Sequence, residues 1–219
     1  MTEDIKRVAR AHLASRGADL SLRAVARDVG VVSSAVYRYF ASRDELLTAL
    51  VVDAYDELAD AAESAELAAP RDDPHARWVA LTRGIRQWVL AHPHEYALLY
   101  GSPVPGYQAP QDTVGPASRP QRVFAQIVHD AASTTRSNAA ADDPMAASLR
   151  ADTDGVAQFL QLTDVPATII ARALVAWTQL FGALSFEMFG RFESGITDAG
   201  VLFDFEMTAM SDYLGLRAT

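Results

Sequence analysis

Apolar residues recur along this chain at intervals of three and four, and no convincing strand-type alternation interrupts them, so the pattern predicts helices nearly throughout and an all-α fold. A first helix is expected from about Glu3 to Ser15, stopping near Gly17. A second starts after Ser21, carries Leu22, Val25, Ala26 and Val29 on one face, and ends at Gly30. A third covers about Ser33 to Phe40. The fourth opens with SRDE, residues 42–45, where Ser42 can cap the helix and Glu45 can reach back as the second half of a capping box; its pattern persists to about Leu67. Two more follow, Pro74 to Ala91 and Pro93 to Gly101.

Residues 102–120, SPVPGYQAPQDTVGPASRP, hold five of the ten prolines and two glycines, which predicts an ordered loop or a flexible segment. Helical pattern resumes over about Gln121 to Thr134, breaks at SNAAADDP, and returns between Pro144 and Leu162. Two longer helices, about Pro166 to Phe192 and Asp198 to Leu214, close the chain. The first of them is apolar along its whole length, with Ala173, Ala176, Leu180 and Ala183 on one stripe, so it must be buried on more than one side. Paired with its own copy and with residues 198–214, it could form a four-helix homodimer interface; a helix of one chain's core is the alternative.

Composition narrows the class. With 219 residues, half of them apolar, the chain can bury a core for one large domain or two modest ones. It has no cysteine, which excludes disulfides and the usual structural zinc sites and fits a reducing compartment. The N-terminus reads as an amphipathic helix rather than a signal peptide. The longest apolar tract, Ala173 to Phe186, is interrupted by Thr178, Gln179 and Ser185 and is shorter than the ~20 residues that span a bilayer. A soluble, cytoplasmic protein without a membrane partner is expected.

The net charge of −9 argues at first against nucleic acid, but its distribution reverses that. Residues 1–50 carry one lysine and seven arginines against six carboxylates, a net of +2, which leaves −11 for the rest. A basic head on an acidic body can approach phosphate while the body discourages non-specific adhesion. Two helices joined at Gly30 and followed by the polar, aromatic segment GVVSSAVYRYF, residues 30–40, describe a helix-turn-helix. At about 100° per residue, Val36 and Phe40 share the face that packs on the preceding helices, and Ser34 and Arg38 lie nearly opposite, towards a groove floor. Tyr37 and Tyr39 flank that direction, where their hydroxyls could reach phosphates.

Residues 20–50, LSLRAVARDVGVVSSAVYRYFASRDELLTAL, resemble the N-terminal domain of TetR-family transcriptional repressors: a small-residue helix, a glycine turn, a Tyr-x-x-Phe recognition helix and a basic residue opening the fourth helix. The resemblance implies residues 1–46 as the DNA-binding domain and 47–219 as a helical ligand-binding and dimerisation domain. It also implies a homodimer on a palindromic operator, a double-stranded DNA site released when a small molecule enters the C-terminal domain. Position by position, the family's DNA contacts fall on Ser21, Arg23, Ser33, Ser34, Ala35, Tyr37, Arg38, Tyr39 and Arg43. Arg43 replaces a frequent lysine and can still serve phosphate. Val32 stands where a capping serine is common; Ser33 can take the cap instead, which would remove it from base contact. Further on, AWTQLFGALSFEMFG, residues 176–190, resembles the Trp-x-x-x-His-Gly signature of one ligand-domain subgroup, with Phe181 in place of the histidine.

Trp88, Tyr96, Tyr100, Phe159, Trp177 and Phe181 could line a ligand cavity for a small apolar or aromatic effector, although aromatics at helical spacing also build plain cores. HPHE, residues 92–95, has a proline between its histidines, and its reading is an exposed helix start rather than a zinc pair. DTDG, residues 152–155, lacks the remaining ligands of a calcium loop and reads as a turn. No cofactor, metal or catalytic constellation is expected, hence no enzyme. A DNA-binding module under a protein partner's control, or a helical enzyme with a fused DNA-binding head, stays open beside the ligand-responsive regulator.

Overall fold

In the computed structural model, helix follows helix as the three- and four-residue spacing requires. The structure describes residues 1–16, 20–134, 147–162, 164–192 and 195–216. Among them it contains no strand, and its α-helices are α1 (Thr2–Arg16), α2 (Leu22–Val29), α3 (Ser33–Val36), α4 (Arg43–Leu67), α5 (Pro74–Ala91), α6 (Pro93–Tyr100), α7 (Val114–Thr134), α8 (Ala147–Leu160), α9 (Ala167–Met188) and α10 (Ala199–Leu214). The expected stop near Gly17 and the break over residues 137–144 lie outside the described residues. The chain separates into two compact units: Met1–Ala59 with Val89–Ser118, and Asp60–Trp88 with Arg119–Thr219. Helices α4, α5 and α7 each contribute to both.

In the first unit, Ile5, Ala9 and Leu13 recur every fourth residue on α1 and are buried with Leu22, Val25 and Ala26 of α2, Val36, Phe40, and Leu46, Leu47 and Leu50 of α4. Each large apolar side chain so buried contributes roughly 1.5–3 kcal/mol. The polar flank of α1 is tied to α4: Lys6 Nζ lies 2.8 Å from Asp53 and Arg10 Nη1 lies 2.8 Å from Glu57. His12 Nε2 lies 2.8 Å from the Asp28 carboxylate, linking α1 to α2.

The second unit is organised around a buried cation. Arg77 of α5, only 2% exposed, donates to Glu66 of α4 at 2.6 Å and to Asp130 of α7 at 2.6 Å. Burial alone would raise the Glu66 carboxyl, but hydrogen bonds from Arg71 and Arg77 outweigh it and hold the group below its ordinary range. Arg119 of α7 grips α4 again, donating to Asp60 at 2.7 Å and to both oxygens of Glu63. Trp78 donates its indole N–H to the Met207 carbonyl at 2.8 Å, fixing α5 against α10.

Helix α7 begins at Val114, seven residues before the sequence predicted, so much of the expected loop is helical. Its prolines hid this. Pro116 sits in the first turn, where no intrahelical N–H bond is lost. Pro120 lies inside the helix and is buried, so its missing bond is offset by packing. Residues 152–155 likewise belong to α8 rather than to a turn, and Thr153 bonds back to the Arg150 carbonyl. Helix α8 ends where Gln161 takes a left-handed φ of 59° and Leu162 closes onto the Ala157 carbonyl at 2.8 Å.

Helix α9 is shorter than expected because Gly190, at φ 67°, turns the chain and Arg191 closes onto the Phe186 carbonyl. By length and composition alone it is nevertheless long and apolar enough to cross a membrane, which the shorter tract Ala173 to Phe186 was not. Of the stripe assigned to a partner copy, Ala176, Leu180 and Ala183 are buried within the unit itself and Ala173 is half-buried. The exposed face is its neighbour, with Leu174, Val175, Thr178, Gly182 and Phe186.

Where α4 and α5 approach, a Cβ at Gly84 would come within 2.5 Å of the Ala65 Cβ and 2.9 Å of the Ala61 carbonyl oxygen. Gly84→Ala should therefore destabilise the protein by about 1–3 kcal/mol despite alanine's better helix propensity. Urea denaturation followed by circular dichroism measures this.

Candidate nucleic-acid interface and an apolar cavity

The helix-turn-helix is built from local backbone chemistry. Ser21 caps α2, its hydroxyl accepting from the Ala24 N–H at 3.5 Å. At the other end Gly30 adopts φ 85°, its N–H reaching the Ala26 and Arg27 carbonyls while Val31 N–H also closes onto Ala26. A β-carbon disfavours that left-handed conformation, which is why glycine occupies the turn.

The regular part of the recognition segment is shorter than predicted. Helix α3 covers only Ser33–Val36, and residues 37–39 continue as tight turns, with Tyr39 N–H bonding the Val36 carbonyl at 2.9 Å and Phe40 N–H the same carbonyl at 3.0 Å. Val32 is the cap residue and supplies no side-chain hydrogen bond, so the helix starts without one. Ser33 is the first helical residue, not the cap. A lone helical turn, here two serines, an alanine and a valine, has little intrinsic drive to propagate. The expected division of faces is nonetheless present: Val36 and Phe40 are buried, Ser34, Tyr37, Arg38 and Tyr39 are exposed, and Ser33 and Ala35 are half-buried.

Arg43 opens α4 with Nη1 3.5 Å from Asp44. Ser42 caps that helix as expected, accepting from Glu45 N–H at 3.1 Å. Glu45 reaches back to the Ala41 N–H at 2.7 Å, one residue earlier than the capping-box rule anticipates. Most described cations of the head are spent on neighbours: Lys6 and Arg10 on α4, Arg7 on Asp4, Arg27 on Asp28. Among the described residues, no carboxylate pairs with Arg23 or Arg38, and both side chains are exposed. Their charge is available to a partner.

The six aromatic candidates divide between the units. Tyr96 is buried in the first unit against Tyr100, with ring centroids 5.3 Å apart, and Tyr100 packs edge-on to Tyr55 at 6.3 Å. Burial in this cluster pushes the Tyr100 hydroxyl well above its usual range. Trp88 of the second unit is buried. In the second unit, Phe159 and Trp177 do line a cavity of about 140 Å³ between α7, α8 and α9. Phe181 supports it from behind, its ring 5.1 Å from Trp177, which in turn stacks on Phe124 at 5.6 Å and 13°. The sequence reading missed Gln121, Phe124, Ala125 and Val128, which line it from α7. Their spacing of three, four and seven was the available signal. His94 is exposed and borders a separate hollow of the first unit with Leu13, Leu98 and the loop after α6.

A glycine-closed helix pair presenting an exposed Arg, Ser and Tyr surface defines a helix-turn-helix DNA-binding protein. Comparison with known proteins gives the family. Residues 5–50 match the family of bacterial regulatory proteins called tetR, and residues 78–210 match the tetracyclin repressor-like C-terminal domain. The transcriptional regulator Rv1816 of Mycobacterium tuberculosis, of the HTH type, is 42% identical over 194 residues, which cover 85% of this chain and 80% of that protein. The solved structure of SCO4313 superposes with a TM-score of 0.77 at 31% identity over 95% of this chain and 94% of that one. A protein of unknown function from Rhodococcus sp. RHA1 superposes with a TM-score of 0.68 at 26% identity, over 97% and 92%. The chain belongs to the TetR family and is a DNA-binding transcriptional regulator, not an enzyme.

The Ser42 cap orders the start of α4 beside the recognition segment. Ser42→Ala should cost about 1 kcal/mol, and hydrogen exchange at residues 43–47 should show the loss concentrated there.

Proposed function

We propose that this regulator is a repressor that binds a palindromic operator as a homodimer and releases it when a small molecule occupies the α7–α8–α9 cavity. The observation that carries this reading is the grip of Arg119. Helix α7 lines the cavity on one side and through Arg119 holds Asp60 and Glu63 of α4. Helix α4 is continuous from Arg43 to Leu67, and at Asp53 and Glu57 it holds Lys6 and Arg10 of the DNA-binding head. An occupant that displaces α7 therefore acts on the helix that carries the head. A ligand preferring the displaced arrangement shifts the population towards dimers whose heads miss successive major grooves, about 34 Å apart. Occupancy of the cavity by nothing, with release triggered by a protein instead, is the competing outcome.

In this reading Ser34 and Arg38 face the bases, and Tyr37, Tyr39, Arg23 and Arg43 hold phosphates. Ser21, Ser33 and Ala35 lie at the contact's edge, Ser21 with its hydroxyl already engaged as a cap. Dimerisation uses the exposed apolar faces of the last two helices. Leu174, Val175 and Phe186 on α9, and Val201, Phe205 and Tyr213 on α10, are each at least 40% exposed. Such a concentration of exposed apolar side chains marks an interaction surface, and Thr178 and Gly182 leave room for close approach. In this reading the protein acts on its DNA in the cytoplasm.

Selection from random DNA should yield a palindrome. Arg38→Ala should relax preference at one position per half-site with a loss of about 1–3 kcal/mol, whereas Arg43→Ala should weaken all sequences alike and flatten the salt slope by about one unit. Equal, preference-neutral losses in both variants would refute the division of roles. Phe205→Asp, at a side chain 71% exposed, should shift sedimentation from dimer to monomer without unfolding the chain and should lower operator affinity at least tenfold.

A further inference from the structure

The walls of the α7–α8–α9 cavity are chemically uneven. Among the described lining residues none is ionisable; Val128, Val156, Leu160, Leu162, Ile170 and Leu174 are aliphatic. A charged guest would lose hydration with no counter-charge among them, which is strongly unfavourable. The volume of about 140 Å³ matches apolar cavities of about 150 Å³ that accept benzene, so one ring with a small substituent fits it. Flat aromatic surface is supplied by the stacked pair Trp177 and Phe124, with Phe159, 49% exposed, at the rim.

One lining side chain breaks the apolar pattern. Gln121, half-buried on α7 two residues beyond Arg119, brings an amide with both donor and acceptor. The indole N–H of Trp177 can only donate. A pure hydrocarbon in this space offers the Gln121 amide no hydrogen bond, whereas a guest with one hydroxyl or carbonyl can supply one. We propose that the cavity binds an uncharged, single-ring aromatic molecule carrying one hydroxyl or carbonyl group, and that Gln121 determines that preference. This rests on the reading of the cavity as the effector site and names what that site selects.

The test is titration calorimetry on the full-length protein with phenol, acetophenone, toluene and benzoate. Phenol and acetophenone bind saturably and benzoate does not. Gln121→Leu lowers the ratio of phenol to toluene affinity about tenfold, while Ala173→Phe, which fills the space, abolishes binding of phenol, acetophenone and toluene; melting curves verify that both variants fold. Benzoate binding as tightly as phenol, an unchanged ratio in Gln121→Leu, or no binding of phenol and acetophenone to the unaltered protein overturns the proposal. Operator affinity measured with saturating phenol separates the two readings: binding that leaves operator affinity unchanged removes the effector role but leaves the ligand class standing.

Discussion

A guanidinium that is 2% exposed has to find its counter-charges inside the protein, and Arg77 finds them on two different helices. Removing one partner of such a buried pair typically costs about 3–5 kcal/mol, because the other charge is then left uncompensated. Helices α4, α5 and α7 are therefore held in one arrangement, with Arg71 completing the shell of Glu66 and Gln126 that of Asp130. The opposite side of α7 forms one wall of the apolar cavity, so a shift of that wall is felt by the Arg77 and Arg119 ion pairs. Polar geometry on one side of a helix thus sets the shape of an apolar space on the other.

The DNA-binding head was legible in the sequence because its determinants are local. Ser21, Gly30 and Ser42 act on backbone groups a few residues away, and the burial of Val36 and Phe40 follows from helical spacing. The length of the recognition helix was not legible, since Val32 contributes no cap and tertiary packing decides where the regular turns give way to tight ones. The Glu45 carboxylate fell one residue from its expected partner for a similar reason: the choice between Ser42 and Ala41 depends on the path of the chain entering α4.

The cavity was harder to read because it is assembled from three successive helices whose facing residues are set by tertiary packing and not by local pattern. Phe159 and Trp177 converge there, while Tyr96 and Tyr100, chemically just as suitable, are consumed in a cluster with Tyr55. Aromatic character alone could not separate the two groups. A proline-rich stretch also disguised the first turns of α7, residues 114–120, whereas the stripe from Gln121 to Val128 that lines the space lay within the part expected to be helical. Phe181, standing where a subgroup signature has histidine, packs its ring on Trp177, so an aromatic contact occupies the position of the polar group.

The brevity of α3 has a consequence for how base preference is inherited. Four helical residues without a side-chain cap hold themselves together weakly, and their orientation is set by Val36 and Phe40 anchored among Val25, Leu46 and Leu50. The reading surface is in effect a rigid shadow of the hydrophobic core beneath it. A change in the volume of a buried side chain beneath Val36 or Phe40 would therefore reorient the exposed face of Ser34, Tyr37, Arg38 and Tyr39 without exchanging any of them.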